Sequence, residues 1–487
     1  MKKFDVFIIG GGVIGSAIAR ELSRYRLSIG VAEKNTDVCN ETSGRNTGVC
    51  HGGFAYDVGS LKAKLCVEGN RMMDDLAREL DFPFRRCGKV LVGNTEEEYA
   101  RLLEVIEQGN ANGASGLRMI SGKELKELIP QVEGSFALLS ENSGILDPFL
   151  MTIALAENAA QNGAEYFLGH EVTGIQRDTD GYLIEAGGEI FRSRWVINSA
   201  GLGCGKISEM LGITGYHIVG SKDDYIILDE RLGRGLPMPI YTVPSNTYMG
   251  IHVTPTTDGN VLLGPTAEQT DNMSWYGVEQ KNLDYLYEEA MKLWPNFTRG
   301  DYIRTYSGIL PKWVDEEGRI QDYKIEIRDD IAPNAVNLIG MESPGLTASV
   351  AIARYVIAMM QEREAFIENT DFNPNRKAIV RFEKLDGNTQ AKLIKENPDY
   401  GELICRCGKV TKAEILQAIH NPLGVHTMTG VKYRTRAMMG RCQGGYCQMR
   451  ITRMLEEELG IAPTDITYAQ EGSRMFFGKV REVNEDE

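Results

Sequence analysis

The sequence lacks features that would place it in several common classes of protein. No apolar run approaches the roughly 18 residues that cross a bilayer. The first apolar run is short and broken by glycines, so it predicts a strand and not a signal peptide. Nucleic acid is not expected as a partner, because the formal net charge is −15 and phosphate backbones are bound by cationic surfaces. We therefore expect a cytoplasmic protein without an integral membrane segment.

Cysteine is present, but not in a disulfide pattern. The chain has nine cysteines, and structural disulfides are not expected from an odd number without framework spacing. The scattered ones are Cys39, Cys50, Cys66, Cys87 and Cys204. The other four lie close together near the C-terminus and need a separate explanation.

Length and composition indicate several cooperating domains. A chain of 487 residues is too long for one ordinary core, and 42% hydrophobic with 25% charged residues is typical of a soluble globular protein. The charge is uneven. Residues 401–450 contain eight Lys or Arg against two acids, so this segment carries +6 and the remainder −21. A local reversal of sign needs a local reason.

A nucleotide-binding fingerprint opens the chain. Residues 4–9 predict a strand, Gly10, Gly12 and Gly15 follow in G-x-G-x-x-G spacing, and a helical pattern comes next. These glycines permit a tight turn, close approach of a pyrophosphate, and packing of helix on strand. A second predicted strand ends at Glu33, where a carboxylate would accept hydrogen bonds from an adenosine ribose. NAD and FAD both use this fingerprint, so it predicts a dinucleotide without choosing between them.

Two further strand-to-glycine turns lie far along the chain, in "WVINSAGLGCG" and in "NAVNLIGMESPGLTASVAIARYVIAMM". Three such turns suit one extended dinucleotide in a discontinuous Rossmann domain. Together with "SGRNTGVCHGG", "GSLKAKLCVEG" and "GIHVTPTTDGNVLLGPTAE", they make residues 1–365 resemble the D-amino-acid-oxidase-like superfamily of FAD enzymes. Within it, the sequence is similar to L-2-hydroxyglutarate and glycerol-3-phosphate dehydrogenases.

The resemblance implies FAD as cofactor and an inserted substrate domain. FAD-binding parts would lie at about 1–80, 145–215 and 330–365, and substrate-domain parts with an antiparallel sheet at about 81–144 and 216–329. The residues implied for FAD are Gly10, Gly12, Gly15, Glu33 and Val172 on the adenosine side, Ser43, Arg45, Asn46 and Thr47 near the flavin, Ala200 and Gly201 at the second turn, and Gly345, Leu346 and Thr347 over the flavin end.

Oxidation of an alcohol or amine needs a flavin ring to accept hydride and a base to take the proton. The chain has only six histidines, and two of them lie in informative motifs. His51 is in the glycine-flanked "CHGG", and His252 is in the alternating strand "GIHVTP". We predict that these two histidines are catalytic, together with Arg45.

An anionic substrate would need a cation. Relatives often show an arginine before a proline in the strand near the flavin, and this chain has Leu310 there. Lys312 would return to the same strand face two residues on. The predicted substrate-binding residues are Lys222, Arg304 and Lys312, and the departure at Leu310 leaves the substrate open.

The four clustered cysteines, Cys405, Cys407, Cys442 and Cys447, have the spacings C-x-C and C-x4-C. Structural zinc usually takes C-x2-C pairs or adds histidine, and two histidines between the pairs keep zinc open as an alternative. Disulfides or unreactive thiols are a third possibility. A [2Fe-2S] cluster takes four thiolates and is negatively charged, which the surrounding cations would offset. We predict a [2Fe-2S] cluster bound by these cysteines.

"RTRAMMGRCQGGYC" resembles the cluster loop of the bacterioferritin-associated-ferredoxin-like domain, over about 401–465. That domain stands at the C-terminus of the large subunit of anaerobic glycerol-3-phosphate dehydrogenases. The resemblance implies partner electron-acceptor subunits, often a second flavoprotein and a small cysteine-containing protein, through which the chain could associate peripherally with a membrane. Residues 366–400 are predicted as a linker, and 401–487 as the [2Fe-2S] domain with an acidic tail.

The predicted fold class is α/β: a discontinuous Rossmann-like FAD-binding domain, an inserted antiparallel-sheet substrate domain and a small helical [2Fe-2S] domain. The predicted function is oxidation of sn-glycerol 3-phosphate to dihydroxyacetone phosphate, with electrons passing from flavin through the cluster to a partner. One alternative is oxidation of L-2-hydroxyglutarate or another 2-hydroxy acid, and another is oxidation of an amine or amino acid. A redox sensor or electron-transfer scaffold without substrate chemistry is the alternative from a different class.

Overall fold

The computed structural model describes residues 1–244 and 250–478. The chain divides into two compact units. The first comprises Met1–Glu33 and Val38–Arg376, and the second comprises Lys34–Asp37 and the chain from Lys377. The predicted acidic tail, residues 479–487, lies outside the described residues. Among the described residues, no helix has the length and apolar character needed to cross a membrane.

The strands described in the first unit are β1 (Lys2–Ile9), β2 (Ile29–Glu33), β3 (Val49–Cys50), β4 (Phe84–Arg85), β5 (Lys89–Gly93), β6 (Leu117–Ser121), β7 (Phe136–Ser140), β8 (Gly144–Leu146), β9 (Glu165–Leu168), β10 (Val172–Asp178), β11 (Gly181–Ala186), β12 (Glu189–Asn198), β13 (His217–Leu228), β14 (Ile240–Thr242), β15 (His252–Pro255), β16 (Val261–Gly264), β17 (Glu268–Thr270), β18 (Tyr302–Val314), β19 (Lys324–Ile327) and β20 (Ala335–Ile339). The helices described there are α1 (Val13–Leu22), α2 (Leu61–Leu80), α3 (Glu96–Ala111), α4 (Gly122–Leu128), α5 (Pro148–Gln161), α6 (Cys204–Met210), α7 (Gln280–Leu293) and α8 (Gly345–Gln361).

The first sheet is built around parallel strands in the order β20, β12, β1, β2, β9. Successive residues of a strand point to opposite faces, and in β1 both faces are apolar. Val6 and Ile8 pack with residues of α1, α5 and α8, whereas Phe7 and Ile9 pack with residues of β10, β11 and α6. Because β1, β12 and β20 run parallel, their carboxyl ends meet at one edge of the sheet, where ligands of open α/β sheets bind.

The second sheet has the order β17, β13, β16, β15, β14, β5, β7, β6, with β18 also paired to β13. Its pairs are antiparallel except for β14 with β5. The long strands β13 and β18 pair from His217 opposite Val314 to Leu228 opposite Tyr302. One face of this sheet is covered by the apolar sides of α4 and α7. A small third sheet joins β3, β8 and β4.

The second unit is mainly helical. Its described elements are α9 (Gly387–Glu396), β21 (Leu403–Cys405), β22 (Val410–Thr411), α10 (Lys412–Ile419), α11 (Met428–Thr435) and α12 (Gln448–Leu459). Helix α10 begins with a capping box in which Thr411 and Glu414 satisfy each other's backbone N–H groups. The core is formed by residues of β21, α10, α11 and α12, and it includes Cys405 and Cys447.

The predicted linker, residues 366–400, is divided between the two units. Its first part, up to Arg376, belongs to the first unit. There Arg376 is buried, and its Nε donates to Glu157 at 2.8 Å. The remainder, including α9, belongs to the second unit.

Candidate active site and cysteine cluster

The glycine turn between β1 and α1 has no room for side chains. A Cβ on Gly15 would lie 2.0 Å from the carbonyl oxygen of Gly10, so α1 packs at backbone distance from the strand end. Gly10 itself has a φ of +106°, a conformation that side chains rarely adopt. Gly12 is the N-cap of α1, where N–H groups face an incoming phosphate. The three predicted glycines thus form a cradle that fits a pyrophosphate.

Glu33 and Ser43 are both tied to this cradle. Oε2 of Glu33 accepts a hydrogen bond from the Gly11 N–H at 2.8 Å, and Oγ of Ser43 accepts one from the Val13 N–H at 2.9 Å. The predicted adenosine-side acid and the predicted flavin-side serine therefore flank the same helix start. This arrangement fits an extended dinucleotide.

The other two predicted turns reach the same edge of the sheet. Ala200 and Gly201 directly follow β12, and Gly345 begins α8 after β20. Thr347, in the first turn of α8, accepts a hydrogen bond on Oγ1 from the His51 N–H at 3.0 Å. Leu346 lies between Gly345 and Thr347, and Val172 is a buried residue at the start of β10.

The segment from Thr42 to Thr47 lies against β18. Oγ1 of Thr42 donates to the carbonyl oxygen of Ile309 at 2.7 Å, and a Cβ on Gly308 would lie 2.1 Å from the carbonyl oxygen of Arg45. The Tyr306 hydroxyl donates to the carbonyl oxygen of Asn46 at 3.0 Å. These contacts hold the predicted flavin segment against the strand that carries Leu310.

The guanidinium of Arg45 binds main-chain oxygens on both sides of this contact. Its Nη1 donates to the carbonyl oxygen of Ser307 at 3.2 Å, its Nε donates to the carbonyl oxygen of Asn40 at 3.2 Å, and the group lies 4.1 Å from the ring centroid of Tyr276. These contacts position the loop, and the catalytic role predicted for Arg45 stays a prediction.

His51 and His252 share an electrostatic environment. Burial, and then the charge of Lys89, lowers the pKa of His51 to about 3. Burial, followed by Lys89 and His51, holds the pKa of His252 well below its usual value. The ring of His252 stacks on that of Tyr241 with centroids 3.6 Å apart, and neither ring nitrogen has a hydrogen-bond partner among the described residues. Both imidazoles are therefore neutral and able to accept a proton.

Lys89 is the functional candidate that the sequence did not indicate. It opens β5, a strand whose other residues are apolar or glycine, and its side chain is only 1% exposed. Its Nζ lies 4.2 Å from the ring centroid of Tyr241 and 4.7 Å from that of Phe54. A lysine at the start of an apolar run is usually solvated. The pattern "GKVLVG" therefore did not indicate that Lys89 is buried. The pairing of β5 with β14 brings Lys89 to Tyr241 and thereby to His252.

The predicted substrate-binding cations lie on different surfaces. Across β13 and β18, Leu310 pairs with Ser221 and Lys312 with Val219, on the strand face that includes Gly308. The charge of Lys312 acts on Asp223, although burial still raises the pKa of that carboxyl well above its usual value.

The other two cations differ in their strand face. Lys222 is buried on the opposite strand face, where its Nζ lies 2.9 Å from Oδ1 of Asp224 and 4.5 Å from the ring centroid of Trp275. Arg304 is exposed, and by alternation along β18 it shares the strand face of Leu310. The structure therefore brings Lys312 and Arg304, but not Lys222, to that face, and all three assignments stay predictions.

The four clustered cysteines lie close enough to influence one another electrostatically. The neighbouring Cys447 thiol lowers the pKa of Cys405 to about 6. Cys405 in turn acts on Cys407 and Cys442. Cys405 and Cys447 are buried, whereas Cys442 is exposed. A Cβ on Gly440 would lie 2.3 Å from Cβ of Cys407, so the loop passes this cysteine at backbone distance.

The side chains available near the cysteines bear on which metal they would hold. In the described part of the chain, no group of three or more His, Cys, Asp or Glu side chains is arranged to hold one metal ion. Four cysteine side chains are the ligand set that a [2Fe-2S] cluster takes. His420, one of the histidines that kept zinc open, pairs with Glu458 at 2.9 Å. The donor set therefore fits a [2Fe-2S] cluster.

The excess cations around the cysteines are partly neutralised by the protein itself. Lys409 lies 3.1 Å from Glu383, Lys412 3.1 Å from Asp399, Arg450 2.8 Å from Glu402 and Arg434 2.6 Å from Asp37. Two others, Arg406 and Arg441, are exposed next to cysteines in the sequence. Both arginines thus place a cationic side chain on the exposed surface beside the cysteines.

Comparisons with known proteins give a family match for the first unit and another for the cysteine-containing part of the second unit. The family of FAD dependent oxidoreductases matches residues 5–359, and the BFD-like [2Fe-2S] binding domain matches residues 403–457. The chain is 37% identical over 481 residues to a glycerol 3-phosphate dehydrogenase of Caloramator mitchellensis, covering 98% of this chain and 99% of that protein. It is 30% identical to the mitochondrial L-2-hydroxyglutarate dehydrogenase of Homo sapiens, covering 74% of this chain and 89% of the human protein.

Solved structures give the same fold. The dithionite-reduced L-α-glycerophosphate oxidase of Mycoplasma pneumoniae with FAD bound matches with a TM-score of 0.72 and 28% identity, over 77% of this chain and 99% of that one. Glycine oxidase of Geobacillus kaustophilus matches with a TM-score of 0.67 and 21% identity, over 77% of this chain and 100% of that one, and shows the fold alone.

The comparisons confirm the predicted α/β fold class with a small C-terminal [2Fe-2S] domain, and they confirm both cofactors. The glycine cradle fits one cofactor, and the four neighbouring cysteines fit the other. The chain therefore belongs to the family of FAD-dependent oxidoreductases and carries, in addition, a BFD-like [2Fe-2S] domain.

Proposed function

We propose that this oxidoreductase is a dehydrogenase that converts sn-glycerol 3-phosphate to dihydroxyacetone phosphate and delivers the electrons to a partner protein. The observation that carries the proposal is the coverage of the relatives. The glycerol 3-phosphate dehydrogenase of Caloramator mitchellensis matches 98% of this chain, a length that includes the cluster domain. The human L-2-hydroxyglutarate dehydrogenase matches 74%, which leaves about a quarter of this chain unmatched.

The two histidines beside Lys89 suit removal of a proton from a hydroxyl group. Bound FAD supplies a hydride acceptor, and the bound cluster supplies a one-electron carrier. As hydride leaves the carbinol carbon, the hydroxyl proton must pass to a base, and a neutral imidazole of His51 or His252 serves. His51 is held through its main chain by Thr347, and His252 is held by its stacking on Tyr241.

The surface around Cys442 suits a protein acceptor. Leu403, Tyr446 and Met449 are 43%, 39% and 49% exposed, and the guanidinium of Arg406 lies 4.3 Å from the Tyr446 ring centroid. Exposed apolar groups mark interaction sites, and cations among them favour an acidic partner. We propose that an acidic electron-acceptor protein docks here. The second flavoprotein, the small cysteine-containing protein and the cytoplasmic location stay predictions.

Anaerobic stopped-flow absorbance tests the substrate. The iron-replete protein is mixed with sn-glycerol 3-phosphate and, separately, with L-2-hydroxyglutarate. The proposal expects bleaching of the flavin bands with the phosphate ester, followed by loss of cluster absorbance, and no bleaching with the hydroxy acid. The reverse pattern would assign a 2-hydroxy acid dehydrogenase. Flavin that stays oxidised with both compounds would contradict both assignments and direct the search to amines.

A further inference from the structure

We propose that the ammonium group of Lys89 binds the phosphate group of the substrate. This inference rests on the proposed function, because it takes the substrate to be an alcohol that carries a phosphate. It assigns a ligand to a buried cation that lies 4.2 Å from the ring centroid of Tyr241, on which His252 stacks.

Lys89 is buried without a counter-charge among the described residues. Its side chain is 1% exposed, although lysine is rarely buried unless it is paired. Among the described residues, Lys89 Nζ makes no ion pair with a carboxylate. It makes cation–π contacts with the rings of Phe54 and Tyr241. Aromatic faces attract a cation but do not neutralise it. A bound anion would complete this site.

The ionisable groups that act on Lys89 do not supply a negative charge. The ionisable groups whose charges act on it are the thiols of Cys50 and Cys66. Burial raises the pKa of Cys50 to about 12 and that of Cys66 well above its usual value, so both thiols are neutral. Burial accordingly lowers the pKa of Lys89 to about 7. The protein supplies no negative charge here, whereas a phosphate monoester would.

Lys89 also lies close enough to the two histidines to act on them. The charge of Lys89 acts on both His51 and His252, the two groups proposed to take the hydroxyl proton. In glycerol 3-phosphate the reacting secondary alcohol is one methylene group away from the phosphate ester oxygen. Phosphate held at Lys89 would therefore bring that alcohol to the imidazoles.

The alternative cations are less suitable for this role. Lys222 already has Asp224 as a buried partner, and Arg304 is exposed. Lys312 has Asp223 in its electrostatic environment. Of the cations considered, Lys89 alone combines burial with proximity to both histidines.

Kinetics of Lys89→Met and Lys89→Arg test the proposal, with sn-glycerol 3-phosphate and glycerol as paired substrates. Loss of a charge-assisted contact to phosphate is expected to lower kcat/KM for the phosphate ester by on the order of 100-fold, mainly through KM. Flavin reduction by glycerol should change little, because glycerol has no anion to bind, and Lys89→Arg should retain part of the activity. Lys126→Met, which alters an exposed lysine of α4 paired with Glu133, is the matched control and should behave as wild type.

Binding of inorganic phosphate to the oxidised protein supplies a readout without turnover. In wild type, phosphate should perturb the flavin absorbance and raise Tm, and both effects should be lost in Lys89→Met. Without phosphate, Lys89→Met should have a Tm no lower than wild type, because it removes a buried cation without a counter-charge.

Two results would overturn the inference: unchanged phosphate binding in Lys89→Met, or an equal loss of activity with both substrates together with a lower Tm. If the wild-type protein binds phosphate through Lys89 but is not reduced by glycerol 3-phosphate, the proposed function is refuted and phosphate binding by Lys89 is retained. If the wild-type protein binds no phosphate, phosphate binding by Lys89 is refuted for any substrate.

Discussion

Lys89 influences both halves of the proposed chemistry. As a buried cation it offers a site for an anion, and its charge also helps to keep His51 and His252 in their neutral forms. A neutral imidazole is the form that accepts a proton. At the scale of single residues, binding of the substrate and readiness of the base thus depend on the same ammonium group.

The pH dependence of kcat/KM for glycerol 3-phosphate should reflect Lys89 in the free enzyme. Burial lowers its pKa to about 7, so the binding-competent cation is present below that pH and is lost as the pH rises through it. The pKa of His51 is about 3, so no loss of activity from its protonation is expected near pH 6.5. Steady-state measurement of kcat/KM against pH at constant ionic strength checks this prediction, and Lys89→Arg should move the loss of activity at alkaline pH to higher pH. A fall in kcat/KM below about pH 6.5 in both wild type and Lys89→Arg would contradict the prediction.

Replacing His51 by asparagine separates an enzyme from an electron-transfer scaffold. His51→Asn keeps the main-chain bond to Thr347 and should keep FAD bound. Loss of the base should slow flavin reduction by roughly 10²- to 10⁴-fold, as measured by stopped-flow. His217→Asn, at an exposed position at the start of β13, is the control and should leave the rate unchanged. If His51→Asn is reduced as fast as wild type, His51 is not the base.

The elements of the cradle could be predicted because their constraints are local. Gly10 and Gly15 contact each other within six residues, and the motif, the strand and the helix are contiguous in sequence. Lys89 could not be predicted in the same way. Its environment depends on β5 pairing with β14, about 150 residues away, and a charged residue at the start of an apolar strand is usually solvated.

The close approach of α1 to β1 makes a clear prediction for Gly15→Ala. The added Cβ would lie 2.0 Å from the carbonyl oxygen of Gly10, so the helix start must move away from the strand. Overpacking of this kind typically costs about 1–3 kcal/mol, and FAD affinity should fall by roughly 10- to 100-fold, as measured by titrating the apoprotein with FAD. Gly387→Ala is the control, since its Cβ would have nothing within 4 Å. Equal FAD affinity in the two variants would show that the cradle tolerates the displacement.

At the scale of the whole molecule, sequence spacing singled out four cysteines but not their surroundings. Cys405, Cys407, Cys442 and Cys447 lie close together, yet no pattern indicated that Cys442 is exposed and Cys447 buried. Their assignment as cluster ligands stays a prediction. The membership of Lys34–Asp37 in the second unit was equally hidden, because these residues directly follow Glu33 of the first unit. The ion pair between Asp37 and Arg434 joins residues that are far apart in the sequence, so a local sequence pattern cannot predict it.

The distribution of charge predicts how electrons leave the protein. The chain has a net charge of −15, and Arg406 and Arg441 are exposed cations near Cys407 and Cys442 in the sequence. Electrostatic steering mainly raises association rates and is screened by salt. Arg406→Glu combined with Arg441→Glu should therefore slow electron delivery to the acidic acceptor cytochrome b5 by about 10-fold at low ionic strength, while flavin reduction by substrate stays unchanged.

A second acceptor and a matched variant separate local charge from net charge. Basic cytochrome c should accept electrons no more slowly from the Arg406→Glu, Arg441→Glu variant than from wild type, because the repulsion has been removed. Arg78→Glu with Arg319→Glu makes the same change in net charge at side chains that are 74% and 72% exposed, and it should have little effect on cytochrome b5 reduction. Equal slowing by both pairs of substitutions would mean that net charge, and not the surface around Cys442, governs acceptor encounter. Stopped-flow traces of haem reduction at several salt concentrations decide between these outcomes.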